Sequence, residues 1–203
     1  MRVGLAVIIG AEVKLIDRFI AENQIADLFT EVNFLCDKSE DGTIEKLQTY
    51  EEQGVCQVYQ RDLNLDFAAQ RNYLNSLMKS EYILRLDVDE FMNQAFKFWL
   101  QSFTSNKDRY VIRRTERVDH KILAYTPITV VYKNSPTIYW TREIHECIIG
   151  HKNELKLASK YTIVHDKTTP RCAKQNKFYY DNFEEQRKIV DAINKREKTN
   201  GLK

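Results

Sequence analysis

The chain has 203 residues, 43% hydrophobic and 30% charged, enough for one globular domain with a real core rather than a disordered or fibrous chain. Lys and Arg total 31 against 29 acidic residues, so a formal net charge of +2 gives no reason to expect a nucleic-acid partner. No apolar run approaches the ~20 residues needed to span a bilayer, and no signal-peptide cleavage pattern follows the short apolar stretch at 3–9. Cys36, Cys56, Cys147 and Cys172 are scattered without a C-x-x-C pair. A zinc site or disulfide framework is therefore not expected, one bridge stays open, and the default setting is cytoplasmic and reducing.

Residues 3–9 form a continuous apolar run closed by Gly10, the pattern of a strand covered on both faces. Leu15, Ile16, Phe19, Ile20 and Leu28 predict one helix over 14–28, followed by a strand at 32–36 and the polar turn 37–43. A helix over 44–53 and a strand at 55–59 come next. Asp66 reads as the N-cap of a helix over 67–78, and a strand at 82–86 delivers Asp87-Val88-Asp89-Glu90 at its carboxyl end. Phe96, Trp99, Leu100 and Phe103 mark a further helix, expected over 91–103. Strands are expected at 110–113 and 128–132 with a loop region between them. Tyr179, Phe183, Val190 and Ile193 then stripe one final long helix, which ends in a polar tail over 195–203. Alternating strands and helices argue for an α/β fold with a mostly parallel sheet.

Ligands of open α/β sheets bind beyond the carboxyl ends of the strands. Two acidic groups fall there, Asp37 after the second strand and Asp87 with Asp89 after the fourth. Carboxylates so placed suit Mg²⁺ or Mn²⁺, hard cations that also take substrate phosphates and neutralise a departing diphosphate. Each has a structural alternative. Asp37 and Asp41 fit an Asx-type turn, Asp89 and Glu90 fit a helix N-terminus, and Arg71 fits a surface pair with Asp66. His165 fits a hydrogen-bonded core histidine. His120 and His151 receive no role.

Five blocks in order carry a resemblance. They are Asp37-Lys38-Ser39-Glu40-Asp41-Gly42-Thr43, Asp66-Phe67-Ala68-Ala69-Gln70-Arg71-Asn72, and Tyr82-Ile83-Leu84-Arg85-Leu86-Asp87-Val88-Asp89-Glu90. The last two are Thr129-Val130-Val131-Tyr132-Lys133-Asn134 leading to Ile144-His145-Glu146, and Ile163-Val164-His165-Asp166. Together they resemble the GT-A glycosyltransferases of family 2, especially the short lipopolysaccharide-type members. The resemblance implies a Rossmann-like, mixed, mostly parallel sheet flanked by helices, with a C-terminal helix. It implies one domain over 1–203, with a nucleotide-binding half at 1–90, an acceptor and catalytic half at 91–170, and a C-terminal helix and tail at 171–203.

The same resemblance implies a nucleotide-sugar donor, UDP-sugar favoured, and an inverting single displacement onto a glycan, lipid or protein acceptor. Asp37 would bind the base, Arg71 the nucleotide, Asp87 and Asp89 ribose and metal, His165 the metal, and Glu146 would be the general base. Mn²⁺ or Mg²⁺ would be the cofactor. The sequence departs from the family at Lys38, at Arg85 in a normally apolar strand, and in 140–143, where the usual glycine is missing and Glu143 competes as base.

Two other functions stay in view. Nucleotidyl transfer would want a glycine-rich, basic phosphate loop after the first strand, and Gly10-Ala11-Glu12-Val13 offers none. A degenerate domain that only binds sugar or protein is weighed against by the retained Asp87, Asp89 and Glu146. The basic residues Lys174, Lys177, Arg187, Lys188, Lys195, Arg196 and Lys198 fit a solvated amphipathic helix, with contact to an anionic membrane or a charged acceptor as the second reading. Homodimer formation is left open.

Overall fold

The computed structural model describes residues 3–104 and 106–200, with side chains described as far as residue 192. Ile193, Lys195, Arg196 and Lys198, assigned above to the last helix, lie outside the described side chains. The chain forms two compact units, Met1–Asp166 and Lys167–Lys203.

In the first unit β1 (Val3–Ile9) is followed by α1 (Val13–Glu22), α2 (Ile25–Leu28), β2 (Val32–Cys36), α3 (Thr43–Glu52), β3 (Gln57–Gln60), α4 (Phe67–Leu77) and β4 (Tyr82–Arg85). Then come β5 (Glu90–Met92), α5 (Gln94–Gln101), β6 (Arg109–Val118), β7 (Lys121–Lys133), β8 (Tyr139–Thr141), β9 (Cys147–Ile149), β10 (Glu154–Lys156) and β11 (Thr162–Lys167). Among the described residues the strands form a nine-stranded sheet in the order β3-β2-β1-β4-β7-β6-β11-β5, with β10 beside β6, and a separate β8-β9 ribbon. The half built from β3, β2, β1 and β4 is parallel, while β7 runs antiparallel to β4 and to β6.

Alternation along the strands divides the core between the two sheet faces. Phe34 and Leu84 join Phe19, Leu47 and Phe96 in one cluster, while their neighbours Leu35 and Ile83 join Leu74, Tyr132 and Trp140 in the other. Each fully buried side chain of this kind stabilises the fold by about 1.5–3 kcal/mol.

Four expectations are corrected. The helix expected over 14–28 is broken, with Gln24 at φ +52° between α1 and α2. Buried Asn23 explains the break, since its amide donates to Glu90 O at 3.0 Å and accepts from Met92 N at 2.8 Å, satisfying β5 instead of continuing the helix. The helix expected from 91 starts at Gln94 and is capped by Asn93, whose side chain accepts from Phe96 N at 2.9 Å. Asp89 and Glu90 are therefore not its cap. The loop expected between 113 and 128 is instead a continuous hairpin of β6 and β7. Asp119 and His120 turn it with φ of +46° and +65°, the left-handed pair that two-residue hairpins require.

The fourth correction lies in the second unit, where the single last helix is two, α6 (Thr169–Asn182) and α7 (Glu184–Asn200). Phe183, extended at φ −123°, interrupts them, and its ring packs with Phe178 and Tyr179 at centroid distances of 6.0 Å. No helix among the described residues is long and apolar enough to cross a membrane.

Candidate active site

The parallel strands end together. Ile9 lies beside Cys36, and Cys36 beside Gln60, so that Gly10, Asp37 and Arg61 emerge from one sheet edge. β4 runs parallel to β1 and delivers Asp87 and Asp89 beyond that same edge. Asp37 is tied into this rim, its Oδ1 accepting from Leu63 N at 2.9 Å. Asp41 serves the structure of the turn. Its carboxylate accepts from Val13 N, Thr43 N, Thr43 Oγ1 and Ser39 Oγ, joining the turn to the starts of α1 and α3.

The segment from Asp66 to Asn72 forms the start of α4, and its polar residues divide the work. Asp66 caps the helix by accepting from Ala69 N at 2.8 Å. Arg71, buried, donates from Nη2 to Asp87 Oδ1 at 3.0 Å and from Nε to Glu146 Oε1 at 2.9 Å. Asn72 clamps the β8-β9 ribbon, donating to Trp140 O and accepting from Trp140 N, both at 2.8 Å. The Trp140 ring lies 5.3 Å from the Arg71 guanidinium and packs edge-on to Tyr132. Glu143, exposed, contributes its backbone, which accepts from Phe67 N at 3.0 Å. Of the two base candidates, the structure pairs Glu146 with Arg71, the same side chain that holds Asp87.

The loop that carries Glu146 is held in unusual backbone. Arg142 and His145 have φ of +78° and +53°. Arg142 thus occupies the left-handed region that favours glycine. Gly150, at φ +84°, closes the ribbon so tightly that a Cβ there would lie 1.6 Å from Thr137 O.

Asp87 has one oxygen on Arg71 and the other 3.1 Å from Arg85 Nη1. Burial works to raise its pKa, but Arg71, Arg85 and His165 outweigh it and hold the carboxyl well below the usual range. Arg85, the residue that breaks an apolar strand, is therefore an internal counter-ion, and it also reaches Glu90 Oε2 at 3.3 Å. Glu90 is fully buried and further accepts from Arg114 Nη1 at 2.8 Å and from Asp87 N at 3.0 Å.

His165 reaches the site because β11 pairs with β5, placing it opposite Glu90, while Asp166 N donates to Asp89 O at 2.9 Å. Its Nε2 lies 3.3 Å from Asp89 Oδ1 and its Nδ1 2.8 Å from Glu116 Oε2. Burial lowers the pKa of His165, but its bonds to Asp89 and Glu116 prevail and raise it to about 9. Glu116, pushed up by burial, is brought down to about 2 by His165, Thr126 and Arg114.

The residues present fit a small divalent cation. Asp89 Oδ1 and His165 Nε2, 3.3 Å apart, are close enough for one ion at about 2.1 Å from each. Among the described residues no cluster of three or more His, Cys, Asp or Glu is arranged to hold a metal. A two-donor site suits Mn²⁺ or Mg²⁺, which complete their shells with water and substrate phosphate. The sequence pattern singled out none of Asn72, Glu90, Arg114 or Glu116. Asn72 in the second block and Glu90 in the third could have pointed to two of them.

The profile of glycosyl transferase family 2 matches residues 12–146. No curated protein matches the sequence. Among solved structures the chain is similar to S. aureus TarS 1-349, with a TM-score of 0.61 and 16% identity over 88% of this chain and 62% of that one. It is similar to full TarS, with a TM-score of 0.62 and 15% identity over 82% of this chain and 37% of that one. A third match is TarS 1-349 in complex with UDP-GlcNAc, at 0.59 and 15% over 82% and 59%. The chain therefore spans less than two thirds of the length of these proteins, and at such identities the likeness shows the shared GT-A fold. With the matched segment running from the start of α1 to Glu146, more than half of its length, the chain belongs to glycosyl transferase family 2.

Proposed function

We propose that this domain transfers a sugar from a nucleotide-sugar donor to an acceptor hydroxyl, in one inverting displacement that depends on Mn²⁺ or Mg²⁺. The observation that carries the reading is Arg71, whose single guanidinium joins Asp87, on the donor side, to Glu146, the candidate base. Asp37 at the rim of β2 contacts the nucleobase, Arg71 and Asp87 hold the nucleotide, and Asp89 with His165 holds the cation. When bound, the cation neutralises charge on the departing diphosphate. Glu146 accepts the proton of the acceptor hydroxyl as the new C–O bond forms and the bond from the anomeric carbon to the diphosphate breaks. A UDP-sugar is the first donor to test, because TarS, which shares the fold, forms a complex with UDP-GlcNAc.

The test is release of nucleoside diphosphate from a panel of nucleotide sugars, each with Mn²⁺ or with EDTA. Metal-dependent release from one donor is expected. Glu146→Gln should keep donor binding and lose transfer, and Asp89→Asn should lose metal-dependent donor binding while staying folded. Donor binding with no turnover under any condition would favour a domain that only binds sugar.

The acceptor is a glycan, lipid or protein hydroxyl, and a cytoplasmic setting accords with four free thiols. Contact with an anionic membrane through the C-terminal helices is tested by vesicle co-sedimentation at low salt. Lys177 and Lys188 are already paired at i,i+4 with Asp181 and Glu184, which weakens that reading. The mass in solution tests for a homodimer.

A further inference from the structure

We propose that Glu116 is the positioning residue of His165, holding Nδ1 so that Nε2 is turned toward Asp89 as the atom offered to a divalent cation. The purpose of this arrangement rests on the reading of Asp89 and His165 as metal ligands; the arrangement itself stands on the geometry.

Glu116 lies on β6, 49 residues before His165 in sequence, and a register shift in the β6-β7 hairpin falls between Glu116 and Arg117. Irregularities of this kind re-aim a side chain out of the regular pleat. One carboxylate oxygen, Oε1, is fixed by two donors, Arg114 Nε and Thr126 Oγ1, each at 2.6 Å. That leaves Oε2 for His165 Nδ1 at 2.8 Å. Ionised carboxylates only accept, so in the metal-free pair Nδ1 carries a hydrogen toward Glu116 and Nε2 one toward Asp89 at 3.3 Å; a cation held by Asp89 would take the place of the Nε2 hydrogen, while Glu116 keeps the hydrogen on Nδ1. Arg114 also reaches Glu90, which pairs in register with His165 across β5 and β11. The chain Glu90–Arg114–Glu116–His165 therefore returns to the strand pair where it began, and the imidazole is held from both its backbone and its ring. A carboxylate behind a ligating histidine fixes its tautomer and orientation, and loss of such a partner costs about 10- to 100-fold in metal affinity.

The experiment uses the full chain and Mn²⁺ alone, with free Mn²⁺ read from its EPR signal. Glu116→Ala is expected to weaken Mn²⁺ binding by about 10- to 100-fold, close to the loss in His165→Ala. Glu116→Gln, whose amide oxygen still accepts from Nδ1, is expected to recover most of that loss. The far-UV circular dichroism spectrum and the cooperativity of urea unfolding in EDTA should stay near wild type in both variants, which a general disturbance of the fold would not allow. Should Glu116→Ala fail to fold, Thr126→Val removes one of the two donors on Oε1 and is expected to weaken Mn²⁺ measurably.

Wild-type Mn²⁺ affinity in Glu116→Ala, or in Thr126→Val where that variant stands in for it, alongside a loss in His165→Ala, overturns the positioning role and leaves the metal reading intact. Wild-type affinity in His165→Ala overturns both.

Discussion

Arg71 Nε donates to Glu146 Oε1 at 2.9 Å across 75 residues of sequence, and the same guanidinium holds Asp87. The candidate base Glu146 and the candidate donor-binding acid Asp87 therefore share one cation. Because Arg71 is 8% exposed, neither carboxylate loses it to solvent. Burial disfavours the charged guanidinium, yet Glu146 and Asp87 more than offset this and raise its pKa further.

Lysine is a point charge without the planar fork, so Arg71→Lys is expected to keep one of the two carboxylates and release the other. Transfer should fall by about 100-fold, the scale of a small misplacement of a reacting group. Arg71→Met, which strips both carboxylates of a buried partner, should cost about 3–5 kcal/mol in urea unfolding. Unchanged turnover in the lysine variant would separate Arg71 from the chemistry.

Arg85→Leu restores the apolar residue that a buried strand would otherwise carry, yet it is expected to destabilise. It leaves Glu90, fully buried, with Arg114 as its remaining arginine, and removes one of two arginines from Asp87. The loss should be about 3 kcal/mol. Adding Glu90→Gln should recover part of it, so that the double variant loses less than the sum of the two single losses. Additive losses would mean that the two side chains are not coupled.

Asp41 offers a pH signature. Burial raises its pKa, but hydrogen bonds from Ser39, Thr43 and Val13 overcome this and lower it to about 2, from an ordinary value of 3.8. A carboxyl depressed in the folded state stabilises fully above its unfolded pKa, and that contribution fades as pH falls through the folded value. Asp41→Asn should therefore be less stable than wild type at pH 6 by roughly 0.5–1 kcal/mol, the scale left to a charge on an exposed turn once solvent screens it. The gap should shrink as pH falls from about 4 toward 2. A gap independent of pH would assign the loss to geometry rather than charge.

At Arg142, φ of +78° makes the backbone the controlling factor. Arg142→Gly and Arg142→Val remove the same guanidinium, so their difference isolates the backbone. Glycine should exceed valine in stability by about 1–2 kcal/mol, because a β-branched residue is strained in the left-handed region. Equal melting temperatures would show that the loop relaxes out of that conformation.

Much of the fold was legible because it is local. Continuous apolar runs mark β1 and β2 as strands covered on both faces, Asp66 announces the start of α4, and acidic residues after strands mark the carboxyl edge of a parallel sheet. Motif order carried the GT-A reading and family 2, and both the match over 12–146 and the fold bear it out. Where local pattern misled, a distant partner had decided the outcome. The 14–28 helix looks continuous by periodicity, but Asn23 is drawn to the backbone of β5, 67 to 69 residues away.

The candidate site divides in the same way. By itself the sequence determined which carboxylates end which strands, since strand runs and the acids after them are written in consecutive residues. Only the tertiary structure decided that Arg85 is a counter-ion rather than a misplaced charge and that Arg71 joins Glu146 to Asp87. It alone decided that Glu116 stands behind His165. Each of those statements names a side-chain partner from another element, and what meets across a buried interface is set by how sheet and helices pack, which no periodicity along the chain encodes.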